Sequence, residues 1–225
     1  MRFTIESQAG SQQVDILIDS LIIAGWAGRD MAAIEHHIQE LEALGIKRPA
    51  STPLFYRVSA SRLTQAGCVE STGPASSGEV EYLLVRHAGK IYVGVASDHT
   101  DREVEAYGVT VSKQMCDKPC AATLWPLDEV EGHWDSLQLR SRIREQGKLV
   151  TYQEGSVGAL RTPADLLEKM AGSEVFEDGT AMLGGTLAVM GGIRPSDRFE
   201  YEIHDPVLGR TIAAAYDIRV LPVRG

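Results

Sequence analysis

The chain has 225 residues, of which 44% are hydrophobic, so it is long enough for one globular domain with a substantial core. Its formal net charge of −9 argues against nucleic acid or an acidic membrane surface as a partner. Three cysteines do not make a disulfide framework, and the first residues lack the apolar core of a signal peptide, so we predict a cytoplasmic protein.

The N-terminal segment predicts β-structure. Val14, Ile16 and Ile18 alternate with polar neighbours, and residues 21–23 form a short buried run, so residues 2–24 are expected to contain two or three strands. We interpret residues 1–20 as a short β addition to a single domain that spans residues 1–225.

Residues 31–44 have apolar side chains at helical spacing, and Asp30 is placed to cap the start of this helix. His37 and Glu40 are three residues apart, so their side chains meet on one helix face. A carboxylate beside an imidazole raises the pKa of the imidazole and fixes its tautomer, which suits a general base. The alternative interpretation is a solvated His–Glu pair on a surface helix.

The stretch over residues 78–102 predicts two strands joined by a tight turn. Predicted strands over residues 53–58 and 63–69 precede it, followed by a loop rich in Ser, Gly and Pro over residues 71–78. Glu79 and Glu81 share a strand face with Leu83 and Val85, so we expect that face to turn inward.

Two carboxylates on an inward face lose hydration and repel each other, so they stay ionised only beside a positive charge. A divalent cation is the simplest candidate for that charge. Asp98, at the end of the returning strand, is placed to supply a third oxygen ligand. The alternative is that Glu79 and Glu81 are ordinary surface charges.

The rest of the chain predicts many short strands and few helices. Short helical pieces are expected over residues 100–107 and 109–117, and a helix capped by Thr162 is expected to end near residue 170. Strands are predicted over residues 121–127, 136–144, 149–153, 199–203 and 211–221. A glycine-rich segment over residues 184–192 lies in an uncharged run that is too short to cross a bilayer.

This pattern favours an α+β, β-rich fold, a mixed β-roll or barrel with peripheral helices. The strand–helix alternation and glycine motif of a dinucleotide fold are missing, so a nicotinamide cofactor is not expected.

Several of these residues stand in one order along the chain, which is Glu79-x-Glu81, Asp98, Arg102, Lys118 and Gly185-Thr186. Over residues 20–221 this order resembles the C-terminal catalytic domain of the fumarylacetoacetate hydrolase family. The helix with His37 and Glu40 resembles that family's His–Glu lid dyad, with His36 as the alternative member if the helix is rotated. The chain departs from the family at Ser97 and Leu187, where Asn and Pro are usual.

The resemblance implies a mixed β-roll, often a homodimer, with a Mg²⁺ or Mn²⁺ ion held by Glu79, Glu81 and Asp98. All-oxygen ligands favour such hard cations over Zn²⁺. The ion is then expected to bind a small oxo acid through two oxygens and to stabilise an enolate as a Lewis acid.

The resemblance also implies roles for the remaining residues. Lys118 would hold a developing negative charge or the substrate carboxylate, and Arg102 would orient Asp98 or grip the substrate. Gly185 and Thr186 are expected at the substrate-binding edge. His37, supported by Glu40, would activate water.

Three functions follow as hypotheses. The first is a metal-dependent hydrolase that cleaves a carbon–carbon bond in a β-diketo acid or acylpyruvate-like substrate. The second is a decarboxylase, hydratase or isomerase of a 2-oxo acid on the same fold, which does not need an activated water to attack a carbonyl group. The third is a non-catalytic protein that binds a small molecule.

Overall fold

The computed structural model describes residues 1–43 and 48–224, and for residues 33, 37, 40, 41 and 43 it describes the backbone alone. Within these residues no helix is both long and apolar enough to cross a membrane.

Short strands dominate the described chain. In chain order they are β1 (Arg2–Ser7), β2 (Gly10–Asp15), β3 (Ser20–Gly25), β4 (Leu54–Val58), β5 (Leu63–Thr64), β6 (Cys68–Thr72), β7 (Ser76–Ser77), β8 (Val80–His87), β9 (Lys90–Ser97), β10 (Thr100–Asp101), β11 (Lys118–Pro119), β12 (Thr123–Pro126), β13 (Gln138–Glu145), β14 (Lys148–Ser156), β15 (Thr180–Thr186), β16 (Arg198–Asp205) and β17 (Arg210–Leu221). The α-helices are α1 (Met31–Ala43), α2 (Arg102–Glu105), α3 (Val109–Met115) and α4 (Pro163–Met170).

Two larger sheets form the fold. An eight-stranded sheet has the order β2-β1-β12-β9-β8-β15-β3-β4, and a five-stranded sheet has the order β14-β13-β16-β17-β6. Two short pairs, β10 with β7 and β11 with β5, connect the elements around the end of β9. The β-rich architecture with few helices is the one that the sequence predicts.

β8 is central to the eight-stranded sheet and is buried on both faces. Val80, Tyr82 and Leu84 belong to one apolar core, which also includes Tyr201 of the five-stranded sheet. Leu83 and Val85 belong to a second core on the opposite face, with residues of β1, β3 and β4. The face that carries Glu81 is therefore inward, as predicted, but the other face is buried as well.

The predicted pair of strands over residues 78–102 is confirmed as β8 and β9. Ala88 and Gly89 connect them with φ values of 50° and 73°, which is the backbone of a tight two-residue hairpin turn. The helix predicted after Thr162 is also confirmed, because the Thr162 hydroxyl accepts a hydrogen bond from the Asp165 amide.

One expected strand is wrong, and one strand of the structure is not predicted from the sequence. The single strand expected over residues 63–69 is divided into β5, which pairs with β11, and the start of β6, which pairs in parallel with β17. The glycine-rich segment begins within β15, which pairs in parallel with β3 and antiparallel with β8. Both differences arise from pairing with distant parts of the chain, which local patterns do not reveal.

Candidate metal centre

Three carboxylates converge where β8 begins and β9 ends. Glu79 directly precedes β8, Glu81 is its second residue, and Asp98 directly follows β9. The Asp98 amide donates a hydrogen bond to the Glu79 carbonyl at 3.0 Å, which holds the two strand ends together. Asp98 and Glu81 are almost fully buried, at 0% and 2% exposure.

The spacing of these carboxylates suits a hard dication. One oxygen from each of Glu79, Glu81 and Asp98 lies within 4.8 Å of the other two. A cation about 2.1–2.5 Å from each ligand separates the ligand oxygens by at most about 4.2–5.0 Å. The three residues therefore fit the oxygen shell that Mg²⁺, Mn²⁺ or Ca²⁺ prefers.

Burial and mutual repulsion affect the charges of this group. Burial, together with the Asp98 carboxylate, raises the pKa of Glu79 and of Glu81 above the ordinary value. Burial also disfavours ionised Asp98, but the ammonium groups of Lys113 and Lys118 lower the pKa of Asp98 below its usual range. Asp98 is thus the firmly ionised member of the three.

Two buried lysines contact Asp98. Lys118, from β11, lies 3.0 Å from Asp98 Oδ1 and donates a hydrogen bond to the His99 carbonyl at 2.6 Å. Lys113, from α3, donates to Asp98 Oδ2. Burial alone would lower the pKa of Lys113, but the surrounding carboxylates, Asp98 first among them, raise it.

Sequence reasoning missed Lys113. Residues 109–117 predict only a short helix, and nothing in that pattern indicates that α3 packs with Lys113 toward Asp98 rather than toward solvent. Lys118 was singled out by the family order, and its predicted role stays a prediction.

Arg102 contacts Glu79 in this structure. Its Nη2 lies 3.1 Å from Glu79 Oε1 as an ion pair without hydrogen-bond geometry. Its Nε donates to Ser77 Oγ at 2.7 Å, and its Nη1 donates to Glu105 Oε2 at 2.9 Å. The predicted contact with a substrate is an untested prediction.

Gly185 and Thr186 hold the Glu79–Glu81 segment in place. The register of β15 against β8 shifts between Leu183 and Thr186, and Gly185 has a φ of 100° there. This backbone lets the Gly185 amide donate to Glu81 Oε2 at 2.6 Å. The Thr186 hydroxyl donates to the Val80 carbonyl at 2.8 Å. The expected contacts of Gly185 and Thr186 with a substrate stay predictions.

Gln153, in β14, is a second residue that sequence reasoning missed. Its Oε1 accepts a hydrogen bond from the Val80 amide at 2.9 Å, and its Nε2 donates to Thr186 Oγ1 at 2.8 Å. Because the Val80 carbonyl is bound by Thr186, both peptide groups of the residue between Glu79 and Glu81 are fixed. Gln153 is fully buried, so it is a rigid support for these side chains.

We expect Gln153→Leu to weaken divalent-cation binding by about 10- to 100-fold, because groups that orient metal ligands typically have effects of this size. Calorimetric titration with Mn²⁺ measures the change. Gln138→Leu, on the neighbouring strand β13 and outside this network, is the matched control and should bind Mn²⁺ as the parent does. Equal affinity in both variants would contradict the supporting role of Gln153.

His99 is buried beside Asp98 and belongs to the same support. Its Nδ1 lies 3.0 Å from the Tyr216 hydroxyl and its Nε2 lies 2.9 Å from Ser76 Oγ. Burial and the nearby Lys118 lower the pKa of His99 to about 3, so the ring is neutral. It fixes the turn after β9 through hydrogen bonds.

The predicted His–Glu dyad lies on α1, but the side chains of His37 and Glu40 lie outside the described part of the structure. The backbone over Met31–Ala43 is helical, as predicted. The dyad, with His36 as its alternative member, stays a prediction.

A cleft of about 590 Å³ opens above the carboxylates. Its charged lining residues are Glu79, Glu81, Glu105 and Lys113. The other walls are contributed by the ends of β3 and β15, by β4 and by α3, and their larger side chains are Trp26, Tyr56, Val109, Leu187, Val189 and Ile193. This volume lies within the range of small-molecule sites, about 300–1,000 Å³.

A family model described as "Protein of unknown function (DUF2848)" matches residues 24–216. None of the curated proteins compared with the chain matches it.

The chain is similar to several solved structures. One is 2-keto-3-deoxy-D-arabinonate dehydratase complexed with magnesium and 2,5-dioxopentanoate, at a TM-score of 0.65 and 18% identity over 95% of this chain and 78% of that chain. A second is Cg1458 with inhibitor, at a TM-score of 0.63 and 14% identity over 96% and 81%. A third is 4-oxalocrotonate decarboxylase from Pseudomonas putida G7, complexed with calcium and acetate, at a TM-score of 0.51 and 15% identity over 92% and 78%. At these identities the likeness shows the fold alone, which is the predicted fumarylacetoacetate hydrolase-like fold.

Proposed function

Since the chain belongs to the DUF2848 family and combines this fold with a convergent carboxylate cluster, we propose that it is a divalent-metal-dependent enzyme whose substrate is a small 2-oxo acid. The main supporting observation is the position of Glu79, Glu81 and Asp98 beside a cleft that also receives Lys113. We propose Mg²⁺ or Mn²⁺ as the ion and a homodimer as the assembly.

The solved relatives support this choice of cofactor and substrate class. One is complexed with magnesium and 2,5-dioxopentanoate, and another is a decarboxylase complexed with calcium and acetate. Both ions are hard dications, which agrees with a site made of carboxylate oxygens.

The side chains of this site suit chemistry that develops negative charge on an oxo acid. A dication held by Glu79, Glu81 and Asp98 would supply the Lewis acidity that polarises the oxo group and stabilises an enolate. Lys113 lines the same cleft as Glu79 and Glu81 and contacts Asp98, so its ammonium group is placed to bind the substrate carboxylate or to return a proton to carbon. Lys118 contacts the Asp98 carboxylate from the protein interior, so its charge would influence a bound substrate through Asp98.

Our first candidate reaction is hydrolysis of a carbon–carbon bond in an acylpyruvate-like substrate. His37, oriented by Glu40, would take a proton from water as the water oxygen attacks the distal carbonyl. The carbon–carbon bond then breaks, its electron pair stays on the departing enolate, and that carbon accepts a proton.

The second candidate is decarboxylation, hydration or isomerisation of a 2-oxo acid. Lys113 favours the decarboxylation and isomerisation within this candidate, because a buried ammonium group at the cleft supports enolate formation and reprotonation without water attacking a carbonyl group. Hydration would use the same enolate stabilisation and would also add one water molecule to the substrate. The names of two solved relatives, a dehydratase and a decarboxylase, point in the same direction.

The test is turnover of an acylpyruvate and of oxaloacetate by purified protein with Mg²⁺ or Mn²⁺, with and without EDTA. We expect turnover that EDTA abolishes and that either metal restores. Turnover that persists in EDTA would contradict the metal-dependent enzyme. Metal and oxo acid binding without turnover would instead favour a non-catalytic binding protein.

We expect His37→Ala to lower hydrolytic turnover by about 10²- to 10⁴-fold, the usual contribution of a general base. His36→Ala, the adjacent histidine, is the matched control and should retain turnover. Loss of turnover in His36→Ala alone would assign the dyad to His36. Full turnover in both variants would favour the second candidate reaction over hydrolysis.

A further inference from the structure

We infer that the substrate carries one carboxylate, at the oxo acid end, and an apolar substituent at the other end. This inference rests on the proposed function and specifies its substrate class. It distinguishes the expected substrate from dicarboxylic and polyhydroxylated oxo acids.

The residues that line the cleft form a charged cluster and an apolar wall. The charged lining residues belong to the carboxylate cluster and its ion pairs, and the remaining large side chains are aromatic or aliphatic. Val109 lies one helical turn before Lys113 on α3, so the change from charge to apolar surface occurs within that helix face. Trp26 and Ile193 continue the apolar wall.

The charges of the carboxylate cluster and its ion pairs match one carboxylate better than two. Within the described residues this cluster joins four carboxylates and three cations, namely Glu79, Glu81, Asp98 and Glu105 against Arg102, Lys113 and Lys118. Their formal sum is −1, and a bound dication changes it to +1. One substrate carboxylate then brings the site to neutrality.

A second carboxylate has no partner in this cleft. Among the described lining residues Lys113 is the one basic side chain, and it already pairs with Asp98. Placing an unpaired carboxylate against the half-buried Val109 and Leu187 would cost part of its hydration without replacement.

Hydroxyl groups on the substrate would meet the same difficulty. The Thr186 hydroxyl is already bonded to the Val80 carbonyl and to Gln153, and Glu105 is bonded to Arg102. Apart from the polar atoms of Trp26 and Tyr56, the side chains of this wall are aliphatic and offer no donors or acceptors, so a polyol lying against them would give up hydrogen bonds to water.

The experiment compares 2-oxopentanoate with 2-oxoglutarate, which have the same number of carbons but differ by a terminal methyl or carboxylate group. Calorimetric titration of the Mg²⁺-loaded protein measures both affinities, and the same titrations in EDTA measure their metal dependence. We expect 2-oxopentanoate to bind about tenfold or more tightly than 2-oxoglutarate. Each added methylene, in 2-oxohexanoate and 2-oxoheptanoate, should strengthen binding by about threefold to fourfold.

A charge introduced into the apolar wall tests the location of the substituent. Val109→Arg should reverse the preference toward 2-oxoglutarate, because the guanidinium group would pair with its second carboxylate. Val111→Arg lies on the same helix at an exposed position outside the cleft and should leave the preference unchanged.

The outcomes separate the inference from the proposed function. Metal-dependent binding with 2-oxoglutarate equal to or tighter than 2-oxopentanoate would overturn the inference and leave the metal-dependent function standing. Absence of metal-dependent binding for every 2-oxo acid tested would overturn the proposed function, and the inference with it. An unchanged preference in a folded Val109→Arg variant would also overturn the inference.

Discussion

Replacing Asp98 with alanine is expected to lower the free energy of unfolding by about 3–5 kcal/mol and to abolish divalent-cation binding. The stability effect arises because Lys113 and Lys118 are both buried and both rely on the Asp98 carboxylate. Removing that carboxylate leaves two ammonium groups in the interior with less compensation. Chemical denaturation and Mn²⁺ titration measure the two effects separately.

Two further variants make this prediction specific. Asp135→Ala removes an exposed carboxylate that pairs with Arg29, and it should change stability by no more than about 1 kcal/mol. Combining Asp98→Ala with Lys113→Met removes one of the two ammonium groups that have lost their carboxylate partner. The double variant should therefore recover part of the free energy of unfolding but none of the cation binding. Near-parental stability of Asp98→Ala alone would contradict the stabilising role of the buried ion pairs of Asp98 with Lys113 and Lys118.

Gly184→Ala is expected to destabilise the protein by about 3 kcal/mol or more and to weaken cation binding. A Cβ atom at Gly184 would lie 2.0 Å from ring atoms of Tyr82. That ring has no room to move, because it is fully buried, packs edge-on against Trp134 and donates a hydrogen bond to the Arg161 carbonyl. Any shift of β15 would also displace the Gly185 amide from Glu81.

Gly67→Ala is the matched control for this substitution. A Cβ atom at Gly67 meets nothing within 4 Å, and the residue has no positive φ, so its effect on stability should be small. Thermal and chemical denaturation of both variants measure the difference. Comparable stability of Gly184→Ala and Gly67→Ala would mean that β15 does not pack against Tyr82 as described.

Local sequence patterns predict the parts of this fold whose pairing partners are close in the chain. The β8–β9 hairpin follows from alternation and from the turn at Ala88–Gly89, and α4 follows from its Thr162 cap. β15 is not predicted from the sequence, because glycine is unusual inside a strand. The glycines of β15 are required by the Tyr82 ring and by the amide that reaches Glu81, and both contacts join residues about a hundred positions apart.

The candidate site likewise contains some residues that local sequence patterns predict and others that they do not. The grouping of Glu79, Glu81 and Asp98 can be predicted from sequence, because two of them flank the first residue of β8 and the third directly follows the paired strand β9. Lys113 and Gln153 cannot, because a lysine on a short helix and a glutamine in an alternating strand are ordinary surface patterns. Only the packing of α3 and β14 against the strand ends directs these two side chains inward.

The most direct measurement of the central claim is an anomalous difference map from a crystal of the protein grown with Mn²⁺. We predict one strong peak about 2.0–2.4 Å from an oxygen of each of Glu79, Glu81 and Asp98. A map without a peak there, with the Lys113 ammonium group filling the space among the three carboxylates, would contradict the metal centre and the function built on it.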